Sequence, residues 1–351
     1  MEYRIDPDDR ARFKRCRRQW DFASPNRRNL EPVPTLDDAL RAAAKDALAV
    51  YYYPGTWDWQ HELKQSLVRK SLERSLADRD ALHTAITLLD CYDAWATLVD
   101  DFAPVKIDHD VRALVTDPRD PERGLMSANG SGVSYECRVD LLAVDAADEY
   151  WVVRHLLVED WQDPQALLRD EATIAACWAW EQDYIGMEIA GTVHNEVRIG
   201  REAELPPAAA SPTGARVAQH EPSGGGRSIP QHRRASARAA DGVAANRVEV
   251  QTAGVLRRTR VRRTRAEIDA AAGLIAAEAL DMTTGPAVYP TPAAHCSDCA
   301  FTRPCLALFA GADPEPLLAA DFRTRPEMVQ PAPRLGQQTW GFGRGAAPPR
   351  G

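Results

Sequence analysis

Four cysteines in two distant segments constrain this sequence more than any other feature. Three of them lie close together in the pattern Cys296-x2-Cys299-x5-Cys305. A closed metal site needs a fourth protein ligand, whether it holds zinc or a cuboidal iron–sulfur cluster. Cys16 is the best candidate, because it lies outside the core-like segments and among cations that favour a thiolate. The sequence therefore predicts a metal centre that joins its N-terminal and C-terminal parts.

The spacing favours an iron–sulfur cluster of the 4Fe–4S type over zinc. The x5 interval and the remote fourth cysteine both depart from the closely paired cysteines that are usual in zinc sites. Zinc stays open as the alternative, and unligated surface thiols are a further one. In a chain-entropy picture, closing a loop of about 280 residues would stabilise the fold by roughly 5 kcal/mol.

The other three cysteines, Cys91, Cys137 and Cys177, lie in apolar helix or strand patterns, and we expect them to be small core residues. An odd total of seven cysteines argues for thiols and metal ligation rather than a disulfide scaffold. No apolar run is long enough to cross a membrane, and no apolar stretch follows a basic start. These observations predict a cytoplasmic chain without a membrane partner.

The first part of the sequence, residues 1–103, is predicted to be mostly helical. Phe13, Cys16 and Trp20 follow one another at helical steps, which predicts one amphipathic helix over residues 8–22. Thr35, with an acidic residue three positions later, predicts the start of a second helix. Two more helical stretches follow, over residues 59–78 and 79–100.

The pattern then changes to strands separated by turn residues. Residues 105–115, 133–145 and 149–158 are rich in Val, Leu and aromatic residues, which predicts an antiparallel meander. Residues 170–184 are predicted to form a helix, and residues 191–199 another strand. This order predicts an α/β domain with a mixed central sheet flanked by helices, extending to residue 323.

The later part of the sequence is basic and low in complexity. Residues 201–246 are predicted to be a flexible insertion, and residues 324–351 a disordered tail. Between them, residues 247–263 predict a strand or hairpin, followed by a helix that begins with a capping box at Thr264 and Glu267.

Arginines are concentrated in this region. Residues 227–265 contain eleven arginines and two acidic residues, a local charge of +9 in a chain with a net charge of -8. Because arginine presents a fork of donors suited to phosphate, we expect single-stranded DNA as a partner. The alternative is that the charged run is only solvated. The predicted nucleic-acid contacts are Arg257, Arg258, Arg260, Arg262 and Arg263.

The Phe-x2-Cys-x3-Trp segment, the cysteine triplet and the α/β region between them resemble the iron–sulfur branch of the PD-(D/E)XK nucleases. This branch includes the RecB-like and AddB-like exonuclease domains and their CRISPR-associated relatives. The resemblance spans roughly residues 6–310. It implies a restriction-endonuclease-like fold, DNA as the substrate, and a helicase or repair protein as a partner.

The catalytic motifs of this family are only partly present. The strand motif Arg-Val-Asp makes Asp140 the match to the family's metal-binding aspartate. In the next strand, Arg154 stands at the position of the second carboxylate and Leu156 at that of the lysine. Lys45 stands where the family has a helical histidine, and the sequence contains no lysine after Lys106.

Two functions from different classes follow, and a redox or iron-sensing protein with an exposed, labile cluster is a third alternative. The first is a RecB-like nuclease-fold protein in DNA processing or repair, with nuclease activity lost or altered, which uses Mg²⁺ or Mn²⁺ only if the site still works. A displaced carboxylate could then come from Glu159, Asp160 or Glu171. The second is a non-catalytic nucleic-acid-binding or scaffold protein whose four cysteines form a zinc or iron–sulfur clasp. The missing lysine favours the second, whereas Asp140 and the cysteine frame favour the first.

Overall fold

The computed structural model describes residues 2–199 and 247–325. The predicted flexible insertion, residues 201–246, lies outside the described residues. The predicted disordered tail, residues 324–351, lies outside them from residue 326 onward.

The N-terminal part is built mainly of helices, as predicted. Its elements are β1 (Tyr3–Ile5), α1 (Pro7–Arg15), α2 (Arg17–Ala23), β2 (Leu30–Pro32), α3 (Leu36–Tyr51), a 3-10 turn (Pro54–Thr56), α4 (His61–Ser75) and α5 (Arg79–Val99). The predicted cap of α3 is confirmed, because the Thr35 hydroxyl accepts the Asp38 amide and the Asp38 carboxylate accepts the Thr35 amide.

The prediction of one helix over residues 8–22 is wrong. Cys16 has an extended backbone, with φ −162° and ψ 114°, and separates α1 from α2. Its amide still bonds the carbonyl of Arg12, so the first helix ends normally before the chain turns. Helical spacing located the apolar residues correctly but could not show that the chain changes direction at the cysteine.

The remaining strands and helices follow in an order close to the predicted one. They are β3 (Phe102–Leu114), β4 (Thr116–Asp117), β5 (Asp120–Gly124), β6 (Val133–Asp145), β7 (Tyr150–Val158), α6 (Pro164–Leu167), α7 (Glu171–Asp183), β8 (Ile189–Arg198), β9 (Val248–Ala253), β10 (Leu256–Arg262), α8 (Arg265–Thr283), a 3-10 turn (Ala294–Cys296), α9 (Thr302–Phe309), α10 (Glu315–Asp321) and β11 (Phe322–Thr324). Among the described helices, none is long and apolar enough to cross a membrane.

The described residues form a seven-stranded mixed sheet in the order β1-β6-β7-β8-β10-β9, with β3 also paired to β6. Strands β3, β6 and β7 form the predicted antiparallel meander. Helix α7 then leads to β8, which runs parallel to β7. The predicted α/β fold with a mixed sheet flanked by helices is therefore confirmed.

Each face of the sheet is covered by its own helices. Helices α3, α4 and α5 bury Tyr52, Tyr92 and Trp95 on one face. Helices α7 and α8, together with Phe13 and Trp20 of the N-terminal helices, cover the other face. Because both faces are covered, β7 and β8 are buried along most of their length, and β8 buries polar residues (Thr192, His194, Asn195 and Glu196) as well as apolar ones.

Candidate metal centre and candidate active site

The N-terminal segment (residues 2–32) meets the C-terminal segment (residues 289–325) beside the sheet. Strands β2 and β11 pair antiparallel. The Phe301 ring stacks on Phe22 at 5.2 Å and on Phe322 at 4.4 Å. Arg28 donates to the Glu315 carboxylate at 2.7 Å. The two segments that carry the four cysteines are therefore packed together.

The backbone places the cysteines on both sides of this contact. Cys16 is buried between α1 and α2, whereas Cys296, Cys299 and Cys305 are half-buried. The Thr302 hydroxyl donates to the carbonyl of Cys296 at 2.6 Å and to that of Cys299 at 2.8 Å, which holds the loop before α9 closed.

Thiols from both segments contribute to the electrostatic environment of Cys299. Burial raises the pKa of the Cys299 thiol, the Phe301 amide and Arg15 oppose that rise, and the Cys16 and Cys296 thiols add to it. The Cys305 sulfur accepts a hydrogen bond from Arg18 Nη1 at 3.7 Å. Residues of the N-terminal segment therefore act on two cysteines of the C-terminal segment, Cys16 on Cys299 and Arg18 on Cys305.

The four cysteines fit a thiolate-bound metal by donor type and by location. Cysteine sulfur is the ligand that iron–sulfur clusters and structural zinc prefer. Within residues 2–199 and 247–325, however, no group of three or more His, Cys, Asp or Glu side chains is gathered closely enough to hold a metal ion. The structure thus joins the segments without arranging the thiols as a completed ligand set.

Two of the remaining cysteines are core residues, as expected. Cys137 and Cys177 are buried, and burial raises the pKa of each thiol to about 12. Thiols with such pKa values stay neutral at physiological pH and pack as small apolar groups. Cys91 is only half-buried, against the core of α3, α4 and α5.

Asp140 lies where β6 and β7 separate. The ladder between these strands ends at the pair Leu141 and Val153. Beyond that point the Asp140 carboxylate replaces the strand pairing, because its Oδ2 accepts the backbone amide of His155 at 2.9 Å. Its Oδ1 forms an ion pair with Lys45 Nζ at 3.0 Å, and the side chain is 14% exposed.

The ion pair between Lys45 and Asp140 was not predicted from the sequence, although Lys45 was identified at the position of the family's helical histidine. Lys45 lies on α3, which packs against β6 and β7. The one available signal was its alignment with the helical histidine of the family. One turn earlier on α3, Arg41 donates to the Leu157 carbonyl and pairs with Glu159 at 3.6 Å.

The other positions of the motif do not supply a second carboxylate at Asp140. Arg154 lies 3.7 Å from the Asp170 carboxylate, at the start of α7. Glu171 pairs with Lys14 of α1. Of the three displaced carboxylates considered from the sequence, Glu159 and Glu171 are thus paired with other cations, and Asp160 is exposed.

The two strand histidines are buried and neutral. Burial lowers the pKa of both His155 and His194 to about 4. The His155 ring stacks on Tyr52 at 5.3 Å, and the His194 ring lies 3.2 Å from the Thr192 hydroxyl. Both histidines therefore pack as neutral core residues.

The predicted nucleic-acid-binding arginines, four in β10 and Arg263 directly after it, contact other parts of the protein. Arg257, Arg258 and Arg263 are at most 7% exposed. Burial at this level leaves little room for a phosphate, so the structure offers no support for nucleic-acid contacts at these three positions. The partners are Glu196 for Arg257, Asp100 for Arg258, Asp101 for Arg260, Glu149 for Arg262, and the carbonyls of Leu167 and Leu168 for Arg263.

Comparison with known proteins adds little to this description. No protein-family model and no curated protein matches the sequence. The crystal structure of SSO0001 is similar over 46% of this chain and 71% of that chain, with a TM-score of 0.22 and 7% sequence identity. A likeness at this level carries no argument about fold or function.

Proposed function

We propose that this protein is a RecB-like PD-(D/E)XK nuclease-fold protein that acts in DNA processing or repair and has lost phosphodiester cleavage. One observation carries the loss of cleavage. The single carboxylate that matches the family's metal ligand, Asp140, is paired with Lys45 at 3.0 Å and with the His155 amide at 2.9 Å.

A cation at this distance opposes binding of a divalent metal. Magnesium in such sites is held by one or two carboxylates together with substrate phosphate, and it activates water and neutralises the leaving charge. The Lys45 ammonium already neutralises Asp140, and Leu156 provides no cation for the developing charge. Losing one such electrostatic group costs about 10²–10³ in rate. Losing the metal and the lysine together should bring cleavage to background.

We further propose that Cys16, Cys296, Cys299 and Cys305 hold an iron–sulfur cluster. The contact between the N-terminal and C-terminal segments supports this, since it brings the four donors to one boundary. A cluster at this position would supply structural closure of the two segments. Zinc on the same cysteines is the alternative.

Single-stranded DNA is the proposed partner, with a helicase or repair protein as a second partner, in the cytoplasm. Support comes from the resemblance and from the charge of the arginine-rich region. The side chain of Arg262, at the end of β10, is the most exposed of the five predicted contacts. A phosphate could reach Arg262 by displacing Glu149, whereas the buried arginines of the strand would have to leave the core.

A cleavage assay tests the proposed loss of activity. Wild-type protein with Mg²⁺ or Mn²⁺ should leave linear single-stranded and double-stranded DNA intact, at the level of an Asp140→Ala control. Metal-dependent cleavage by the wild type that disappears in Asp140→Ala would contradict the proposal. The next variants would then be Glu159→Ala, Asp160→Ala and Glu171→Ala.

A binding measurement tests the physical reason. Lys45→Ala removes the ammonium from Asp140, so Mn²⁺ should bind at least about tenfold more tightly than to the wild type, which corresponds to about 1.4 kcal/mol. The matched control is Lys70→Ala, which removes an exposed lysine from α4. Equal Mn²⁺ affinity in all three proteins would show that Lys45 does not block the site.

Metal analysis after anaerobic purification tests the cysteine centre. We expect a brown protein with about four irons per chain, and loss of colour in Cys16→Ala and Cys296→Ala. A colourless protein with one equivalent of zinc would exclude the cluster and favour the non-catalytic scaffold with a zinc clasp. Unchanged metal content in Cys16→Ala would show that Cys16 is not the fourth ligand.

A further inference from the structure

We propose that Arg18 is a positioning residue of the cysteine centre, which holds the Cys305 sulfur in place and offsets the negative charge of the ligated thiolates. The inference rests on the proposed metal centre. Arg18 Nη1 donates to Cys305 Sγ at 3.7 Å, within the range of a hydrogen bond to sulfur.

The basic residues around Cys16 divide into two groups. In α1, Arg10 pairs with Glu278 at 2.5 Å, Arg12 with Asp8 at 2.8 Å, and Lys14 with Glu278 at 3.0 Å. Across residues 2–199 and 247–325, no carboxylate forms an ion pair with the second group, which consists of Arg15, Arg17 and Arg18. The arginines next to the cysteine thus retain charge that surface carboxylates do not neutralise.

Arg18 is held against the C-terminal segment at three points. Its backbone amide donates to the Tyr289 carbonyl at 3.1 Å. Its guanidinium lies over the Phe309 ring at 5.2 Å and reaches the Cys305 sulfur at its tip. A side chain fixed at both ends loses little further freedom when it bonds a ligand, which suits a positioning role.

The charge of a thiolate-bound metal explains why a cation is useful there. Four thiolates outweigh the charge of zinc or of an iron–sulfur core, so the loaded centre is anionic. A partly buried negative charge is costly unless it is paired or hydrogen-bonded. Partners of the ligating atoms typically contribute about 10–100-fold in metal affinity. Among the described side chains, that of Arg18 is the one that donates directly to one of the four sulfurs.

The test compares Arg18→Ala with Arg28→Ala in anaerobically purified, metal-loaded full-length protein. Arg28 also joins the N-terminal segment to the C-terminal segment, through Glu315 at 2.7 Å, but it contacts no thiol. Metal release to excess chelator should be about 10–100-fold faster in Arg18→Ala than in the wild type. Arg28→Ala should release metal within about threefold of the wild-type rate, because it loses a half-exposed ion pair and a cation–π contact with Phe22 but no bond to a sulfur.

A second readout separates electrostatics from packing. If the centre is an iron–sulfur cluster, Arg18→Gln should lower its reduction potential, since the positive charge that favours the reduced cluster is lost. Arg18→Lys keeps the charge and should keep the potential near that of the wild type. Comparison of Arg18→Gln with Arg18→Lys also tests the inference if Arg18→Ala does not fold.

The possible outcomes are distinct. If the Arg18 variants release metal at the wild-type rate and keep the wild-type reduction potential, the inference is overturned and the proposed centre stays intact. Metal release that is accelerated equally in Arg18→Ala and Arg28→Ala would also overturn the inference, since Arg18 would then act only by holding the two segments together. A wild-type protein without metal would refute the proposed centre itself, and this inference with it.

Discussion

Arg258→Met should weaken the fold strongly, although Arg258 was predicted from the sequence to contact DNA. The Arg258 guanidinium donates to Asp100 Oδ1 at 2.6 Å, to Asn195 Oδ1 at 2.8 Å and to the Val99 carbonyl at 2.9 Å. These bonds tie β10 to the C-terminal end of α5. Methionine keeps an apolar stem of similar length but has no donor to replace them.

The magnitude follows from the charge that is left behind. The Asp100 side chain is only 9% exposed, and after the substitution it would still accept a hydrogen bond from the Tyr52 hydroxyl at 3.0 Å. Removing one partner of a buried ion pair costs about 3–5 kcal/mol, mainly because the other charge stays uncompensated. Neutralising both charges, in Arg258→Met with Asp100→Asn, should cost less than the sum of the single changes.

The same strand offers a matched control. Arg262 pairs with Glu149 at 2.6 Å, but the two side chains are 52% and 35% exposed. Arg262→Met should therefore cost at most about 1 kcal/mol. Urea unfolding followed by circular dichroism should show a lower midpoint for Arg258→Met than for Arg262→Met, with an unchanged slope.

The effect should also depend on pH. Burial raises the pKa of the Asp100 carboxyl, and Arg258 opposes that rise, so the pKa should rise further in Arg258→Met. An acid whose folded pKa is raised stabilises the fold when protonated, and this contribution is lost as pH rises. The cost of Arg258→Met should therefore shrink as the pH is lowered. A wild-type unfolding midpoint combined with weaker binding of single-stranded DNA would refute this reasoning and restore Arg258 as a phosphate contact.

Two further predictions concern other buried positions. Burial lowers the pKa of His155 from its ordinary value near 6.5 to about 4. The neutral ring therefore contributes about 3 kcal/mol to the free energy of unfolding, and this contribution is lost as the pH falls from about 6.5 through 4. His155→Gln should flatten the pH dependence of the unfolding midpoint over that range, and an unchanged profile would contradict this. Gly191→Ala should lower the melting temperature, because its Cβ would lie 2.2 Å from the Val261 carbonyl oxygen. Gly273 lies in an exposed part of α8, where an added Cβ would have no atom within 4 Å. Gly273→Ala should therefore raise the free energy of unfolding by up to about 1 kcal/mol. Equal melting temperatures for the Gly191 and Gly273 variants would count against the packing described here.

The features that could be predicted from the sequence are those with local signals. Thr35 and Thr264 each begin a helix with a capping box, because the bonds join residues three positions apart. The meander of β3, β6 and β7 follows from apolar strands separated by turn residues. Cys137 and Cys177 were expected in the core because their neighbours are apolar.

The features that could not be predicted depend on partners far along the sequence. The pairing of Lys45 with Asp140 requires α3 to pack over the end of the β6–β7 ladder, and no local pattern encodes that placement. The arginines of β10 form a run suited to phosphate. Their acidic partners, which include Asp100 and Glu196, lie on other elements and become neighbours only when the sheet assembles.

The contact between the N-terminal and C-terminal segments sets an order of events during synthesis. About 280 residues separate Cys16 from Cys296, and a ribosome adding about 5–20 residues per second needs roughly 15–55 s to make them. Throughout that interval the Phe22 ring lacks Phe301, on which it stacks in the finished protein. A metal shared by all four cysteines can enter only after α9 has emerged, so its insertion would complete folding rather than nucleate it.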